Sequence, residues 1–150
     1  MKPSPDASFW KVIHASKRSL RRLCRQLERM PKEELVSYQR QYEQAKSLVN
    51  PLYREDFDSF ADDDWSCSDD GADDFAAWVV MQGKPFFDEM LADPARLFAQ
   101  ARAFEESDDE AVTQWDETVD RPEYRGYQRA DYVATPIYRA RFGEELGEAQ

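Results

Sequence analysis

Apolar residues recur at steps of three and four positions in the first part of the chain. Neither Gly nor Pro interrupts residues 9–30, where the apolar positions are Phe9, Trp10, Ile13, Leu20, Leu23, Cys24 and Leu27. This spacing predicts one amphipathic helix from Phe9 to Met30. We expect Asp6 or Ser8 to begin this helix and Pro31 to end it.

The same periodicity continues after Pro31. Glu33 and Glu34 favour a helix start, because carboxylates are stabilised at the positive end of the helix dipole. A break is expected at Pro51, which lacks a backbone donor. A short helical piece over residues 53–60 and an acidic turn over residues 61–71 are predicted to follow.

Helical patterns return in residues 72–82 and after Pro85 and Pro94. Gly83 is predicted to end the first of these helices in a left-handed conformation. Residues 105–120 are acidic and weakly periodic, so a loop is expected there.

The last part of the chain is less regular. Residues 122–131 are rich in Tyr and Arg and predict irregular structure. The only strand candidate is Tyr132–Ala134. A last helix is expected from Thr135 or Pro136 to Leu146.

These patterns predict a mainly α fold: a single-domain bundle of about six or seven helices over residues 1–150. The acidic turn precedes a central helix, and residues 105–120 form an irregular acidic loop. Residues 1–6 and 147–150 are expected to be flexible.

The composition is compatible with one folded core, since 41% of the 150 residues are hydrophobic. The longest uncharged apolar run is far shorter than the ~20 residues that span a bilayer. Residues 1–6 lack the apolar stretch that is typical of a secretory signal, and the chain has two cysteines. We therefore expect a cytoplasmic protein with reduced thiols and no membrane association.

Charge is distributed unevenly along the chain. Residues 1–50 carry 11 Lys or Arg and 5 Asp or Glu, whereas residues 51–120 carry 4 and 21. Residues 121–150 carry 5 of each, which gives the net charge of −11. The basic side chains of the first helix are Lys17, Arg18, Arg21, Arg22, Arg25 and Arg29. Either they face the acidic middle of the same molecule, which we favour, or the basic and acidic regions each face a different partner. The acidity of the rest of the chain argues against direct nucleic-acid binding.

Residues 66–78 read Ser-Cys-Ser-Asp-Asp-Gly-Ala-Asp-Asp-Phe-Ala-Ala-Trp. This block resembles the signature of an uncharacterised bacterial family known as domain of unknown function 4240, in which Cys-Ser-Asp-Asp-Gly-Phe-Asp-Tyr-Phe leads into a Trp. Further similar motifs are Phe-Trp-x-x-Ile at residues 9–13, Pro-x-Glu-x-Leu at 31–35, and those at 78–83 and 92–97.

The resemblance covers about residues 9–97, and the C-terminal third carries no matching motif. It implies structural roles for five positions of the signature: Ser68, Gly71, Phe75, Trp78 and Gly83. We expect Phe75 and Trp78 to hold the acidic turn by packing into the core. Ala72 and Asp74 stand where the family usually has aromatic residues, so a pocket formed by those aromatics would be smaller or more acidic here.

Residues 62–74 contain seven aspartates, which permit two interpretations: Asp62, Asp63, Asp64, Asp69, Asp70, Asp73 and Asp74. Clustered carboxylates can bind Ca²⁺ or Mg²⁺, and Asp69, Asp70 and Asp73 are the alternative metal ligands. The spacing does not match the common calcium loop, because Ala77 occupies the position of the final Glu ligand. We favour helix capping by Ser66 or Ser68, with Asp69 and Asp70 in the first turn. No cofactor is expected.

Two further residues are weak candidates for chemistry. His14 is expected to be a partly buried packing residue. Cys67 is expected to be unreactive, because the carboxylates on both sides oppose thiolate formation.

The leading hypothesis is a non-catalytic protein-binding or regulatory domain, such as an immunity or antitoxin-like protein. The seven aspartates would meet a partner with a basic surface, since complementary charge accelerates association. The alternative is a small helical enzyme that uses a divalent cation on a peptide or a phosphorylated small molecule. The identity of the partner, a homo-oligomeric state and the role of the Tyr- and Arg-rich C-terminal segment stay open.

Overall fold

A computed structural model describes residues 4–60, 68–107 and 115–149. Over these ranges the chain is mainly α and forms no named strand, which confirms the predicted fold class. The α-helices are α1 (Ala7–Ala15), α2 (Leu20–Arg29), α3 (Lys32–Val49), α4 (Phe57–Phe60), α5 (Asp69–Met81), α6 (Lys84–Ala92), α7 (Pro94–Glu106) and α8 (Ala134–Phe142). Short 3-10 helices span Pro51–Tyr53, Pro122–Tyr124 and Leu146–Ala149.

The described residues divide into two compact units that differ in charge. Residues 44–60 and 68–107 form one unit, with 5 Lys or Arg and 12 Asp or Glu, a net charge of −7. Residues 4–43 and 115–149 form the other, with 14 Lys or Arg and 13 Asp or Glu, a net charge of +1. We call them the acidic unit and the balanced unit. The domain organisation over residues 1–150 stays a prediction.

The balanced unit is built on aromatic and leucine side chains of α1, α2 and the first part of α3. The Phe9 ring stacks on Tyr38 with a centroid distance of 5.5 Å and meets Tyr42 edge-on at 5.7 Å. Leu23 and Leu27 on α2 are fully buried. These contacts follow the apolar periodicity of the sequence.

The predicted single helix over residues 9–30 is wrong, because the chain turns between α1 and α2. Lys17 and Arg18 both adopt the left-handed region, with φ of 48° and 59°. Ser19 then caps α2, its side chain accepting a hydrogen bond from the Arg22 N–H. Asp116 holds the turn through two backbone hydrogen bonds of 2.8 Å: its carbonyl accepts one from the Leu20 N–H, and its own N–H donates the other to the Arg18 carbonyl. Tertiary pairing thus overrides the periodic pattern.

The acidic unit packs α5, α6 and α7 around aromatic rings. Phe75 is 1% exposed and meets Phe104 with a centroid distance of 5.7 Å. The half-buried Trp78 lies 5.4 Å from Phe86 and 5.5 Å from Phe104. Both signature aromatics therefore contact the interior of this unit, as the sequence predicts.

Several predicted element boundaries differ from the structure. Gly83 has a φ of 103° but a ψ of 173°, so it is not left-handed helical; it forms the N-cap of α6. No strand forms at Tyr132–Ala134, because these residues complete a turn and begin α8. Helix α8 ends earlier than predicted, at Gly143, whose φ of 69° supplies the left-handed cap.

The segments predicted to be flexible or irregular contain ordered contacts. Asp6 caps α1 by accepting a hydrogen bond of 3.0 Å from the Phe9 N–H. Glu105 and Glu106, assigned to the acidic loop, lie in α7.

None of the described helices combines the length and apolar character that a membrane-spanning helix needs.

Candidate functional site

The start of α5 is organised by a serine cap. The Ser68 hydroxyl accepts a hydrogen bond of 3.0 Å from the Gly71 N–H, and Asp69 and Asp70 occupy the first turn. Their carboxylates face the positive end of the helix dipole. The capping interpretation is confirmed for Ser68, whereas Ser66 lies outside the described residues.

Gly71 leaves room for two side-chain oxygens at this helix start. A Cβ atom at this position would lie 2.6 Å from Glu105 Oε1 and 2.9 Å from Ser68 Oγ. Since real Cβ atoms do not approach so closely, a side chain here would displace the cap hydroxyl or the Glu105 carboxylate. Close approach, and not a special backbone conformation, explains the glycine of the signature.

Asp73 forms an ion pair that the sequence analysis missed. Its Oδ1 lies 2.9 Å from Lys46 Nζ, and the Lys46 side chain is only 7% exposed. The Asp73 side chain is 37% exposed and so retains contact with water. The position of Lys46 in the apolar face of α3 could have predicted such a pair, since buried ammonium groups need a charged partner.

The seven predicted binding aspartates thus have different surroundings. Asp62, Asp63 and Asp64 lie outside the described residues. Asp69, Asp70 and Asp74 are exposed. Among residues 4–60, 68–107 and 115–149, no three His, Cys, Asp or Glu side chains are grouped so as to hold a metal ion. The alternative metal site of Asp69, Asp70 and Asp73 therefore gains no support from the described geometry.

Every basic residue in the described part of the acidic unit forms an ion pair within that unit. The pairs are Lys46–Asp73, Arg54–Asp56, Lys84–Asp88, Arg96–Glu89 and Arg102–Glu106. The cations are therefore neutralised locally, and the excess negative charge belongs to other carboxylates. Asp69 and Asp70 are such residues: neither has an ion-pair partner among the described residues.

The basic side chains of α2 meet acidic residues of their own unit. Arg21 Nε lies 2.8 Å from Asp120 Oδ1, and Arg25 contacts the other oxygen at 3.6 Å. Glu28 pairs with Arg121 at 3.3 Å. The prediction that this stripe faces acidic residues of the same molecule thus holds for Arg21 and Arg25.

Of the two single-residue candidates for chemistry, the described part of the chain contains His14 but not Cys67. His14 is exposed, so the prediction that it is partly buried is wrong; its ring lies 6.4 Å from that of Trp10. Burial raises the pKa of the Cys24 thiol to about 12. Cys67 lies outside the described residues.

Part of the Tyr- and Arg-rich segment braces the core of the balanced unit. Arg129 binds the buried Asp131 carboxylate through two hydrogen bonds of 2.5 and 2.8 Å. The Tyr38 hydroxyl donates to the Ala130 carbonyl at 2.8 Å, and burial raises the pKa of this hydroxyl well above its ordinary value. The Arg129 guanidinium also covers the Tyr132 ring at 4.0 Å from its centroid.

Fold and site together define an α-helical protein in which a serine-capped helix presents an acidic first turn. The chain belongs to the family described as protein of unknown function (DUF4240), whose model matches residues 5–139. The match extends past the predicted limit at residue 97, so residues 98–139 also belong to the family pattern. No curated protein and no solved structure gives a match to this chain.

Proposed function

We propose that this protein is a binding domain that presents the first turn of α5 to a partner protein with a basic surface. The supporting observation is the charge arrangement of the acidic unit. Its described cations are all engaged in internal ion pairs, whereas Asp69 and Asp70 are exposed and lack such partners. A basic partner would therefore meet uncompensated negative charge at this turn.

The construction of the turn favours recognition by a fixed surface. Ser68 and Gly71 hold the backbone by a capping hydrogen bond, and Phe75 anchors the next turn of α5 in the interior. Because the backbone is braced, little conformational entropy is lost when a partner binds. An immunity or antitoxin-like role agrees with this arrangement, since such a protein would cover a basic cleft by complementary charge.

The proposal is tested by affinity capture from the native host with two charge-matched double variants. Asp69→Asn/Asp70→Asn removes the first-turn carboxylates of α5. Glu33→Gln/Glu34→Gln is the control, because it removes the same charge from exposed first-turn positions of α3. We expect the first variant to lose a partner that the wild type and the control retain, and added salt to weaken that capture.

Two results would contradict the proposal. The captured protein could bind both variants equally well, or its capture could be insensitive to ionic strength. Either result would place the binding surface elsewhere, or would show that binding does not depend on these carboxylates.

A further inference from the structure

Tyr53 is the most exposed large hydrophobic residue in the described part of the chain. Tyr53 is 64% exposed, compared with 40% for Tyr132 and 39% for Phe60. It lies at the end of the 3-10 helix Pro51–Tyr53 in the acidic unit. Tyrosines exposed on a fixed backbone are frequent anchors of protein interfaces.

The backbone that carries Tyr53 is held in place by a buried amide. Asn50 is 5% exposed, and its Oδ1 accepts a hydrogen bond of 2.9 Å from the Leu52 N–H. The Asn50 carbonyl accepts a second one, of 3.1 Å, from the Tyr53 N–H. Pro51 is buried and fixes the φ of the first residue. The turn is therefore preorganised while the Tyr53 ring faces solvent.

A cavity of about 340 Å³ lies beside this ring. It is lined by Ser47, Leu48, Tyr53, Arg54, Glu55 and Asp56, and we call it the Tyr53 cleft. Arg54 Nε lies 3.0 Å from Asp56 Oδ1, so these two charges offset each other. The exposed Glu55 carboxylate then gives the cleft a net negative charge. Leu48 and the Tyr53 ring could contact the apolar stem of a cationic side chain, and the Glu55 carboxylate could pair with its charge.

We propose that the Tyr53 cleft accepts an arginine side chain of the basic partner. The guanidinium lies flat on the Tyr53 ring, next to the Glu55 carboxylate, and the aliphatic stem contacts Leu48. Arginine is favoured over lysine because its planar group stacks on aromatic rings and pairs with carboxylates. This inference rests on the proposed function, which supplies the basic partner, and it adds a second contact surface on the acidic unit.

The test uses a defined probe: a capped peptide with four arginines separated by glycines, titrated into the full-length protein at low salt. The reference peptide carries citrulline, the neutral analogue, at the same four positions. We expect the arginine peptide to bind, the citrulline peptide not to bind, and Tyr53→Ser to weaken arginine-peptide binding about two- to fivefold. Tyr53→Phe keeps the ring and should retain the affinity.

Tyr132→Ser is the matched control. Tyr132 is also an exposed tyrosine, but its ring already carries the Arg129 guanidinium at 4.0 Å, so its removal should leave the affinity unchanged. Thermal melts establish that the variants are folded. The proposal is overturned if the arginine peptide does not bind, if citrulline binds equally well, or if Tyr53→Ser has no larger effect than Tyr132→Ser.

These outcomes are separable from those of the proposed function. If Asp69→Asn/Asp70→Asn abolishes capture of the host partner while Tyr53→Ser leaves peptide affinity intact, the α5 surface stands and the Tyr53 cleft fails. If Tyr53→Ser weakens binding of the arginine peptide while the aspartate variant captures the partner normally, the Tyr53 cleft stands and the proposed role of the α5 turn is contradicted.

Discussion

Asp73→Ala removes the carboxylate that lies against a buried ammonium group. Lys46 Nζ is 2.9 Å from Asp73 Oδ1, and the Lys46 side chain is 7% exposed. Loss of one partner from a fully buried pair costs about 3–5 kcal/mol, because the remaining charge is left uncompensated. Since Asp73 is 37% exposed, screening by water lowers this value, and we expect a loss of about 2–3 kcal/mol.

Substitution of the other partner of the ion pair, Lys46→Met, should cost much less stability. Methionine fills a similar volume and leaves Asp73 with access to water, so the expected loss is below about 1 kcal/mol. The double variant Lys46→Met/Asp73→Ala should be close to Lys46→Met alone, because neither protein contains the buried ammonium group. The two single losses are therefore expected to be non-additive.

Thermal and urea unfolding of the four proteins measure these differences. Asp73→Ala should lower the melting temperature by roughly 5–10 °C. Asp70→Ala is the control on the same helix; it removes an exposed first-turn carboxylate and should cost less than about 1 kcal/mol. A buried charge that depends on Asp73 is ruled out if Lys46→Met destabilises the protein as much as Asp73→Ala does, or if the double variant shows the sum of both losses.

Three further predictions concern the cap, the left-handed turn and the buried thiol. Ser68→Ala should lower the unfolding free energy by about 1 kcal/mol and Ser68→Gly by only a few tenths, measured by urea unfolding; equal losses would contradict the capping role. Lys17→Gly should raise the melting temperature, with a gain of up to about 1 kcal/mol, whereas Lys17→Ala keeps the Cβ atom and should not; a loss with Gly would contradict the strain argument. In a Cys67→Ser background, Cys24 should resist alkylation at pH 8 until the protein unfolds. Because burial raises its pKa from 9.0 to about 12, the Cys24 thiol loses its proton at a lower pH in unfolded chains than in the folded protein, so stability should fall as the pH rises through this interval. Rapid alkylation of the native protein would contradict the burial of this thiol.

The elements that local signals determine were predictable from the sequence. Pro51 ends α3 as expected, Asp93 and Pro94 begin α7, and the serine and aspartates before α5 form the cap that their residue types favour. Each of these features depends on a few adjacent residues. Local chemistry is then sufficient for the prediction.

The features that depend on distant partners were not predictable in the same way. The turn at Lys17 and Arg18 is held by the backbone of Asp116, about a hundred positions away in the sequence. The ion pair between Lys46 and Asp73 joins two helices, and the apolar periodicity of either helix does not identify the other. The site prediction was limited for the same reason, since the Lys46 contact sets Asp73 apart from its exposed neighbours Asp69 and Asp70.

Binding of a basic partner by the first turn of α5 is measured most directly by the salt dependence of the dissociation constant for the captured host partner. The wild type, Asp69→Asn/Asp70→Asn and Glu33→Gln/Glu34→Gln are titrated at several salt concentrations. We expect the aspartate variant to bind about threefold to tenfold more weakly at low salt and to show a shallower salt dependence, while the glutamate variant follows the wild type. Identical curves for the three proteins would contradict the claim that the first turn of α5 binds a basic partner.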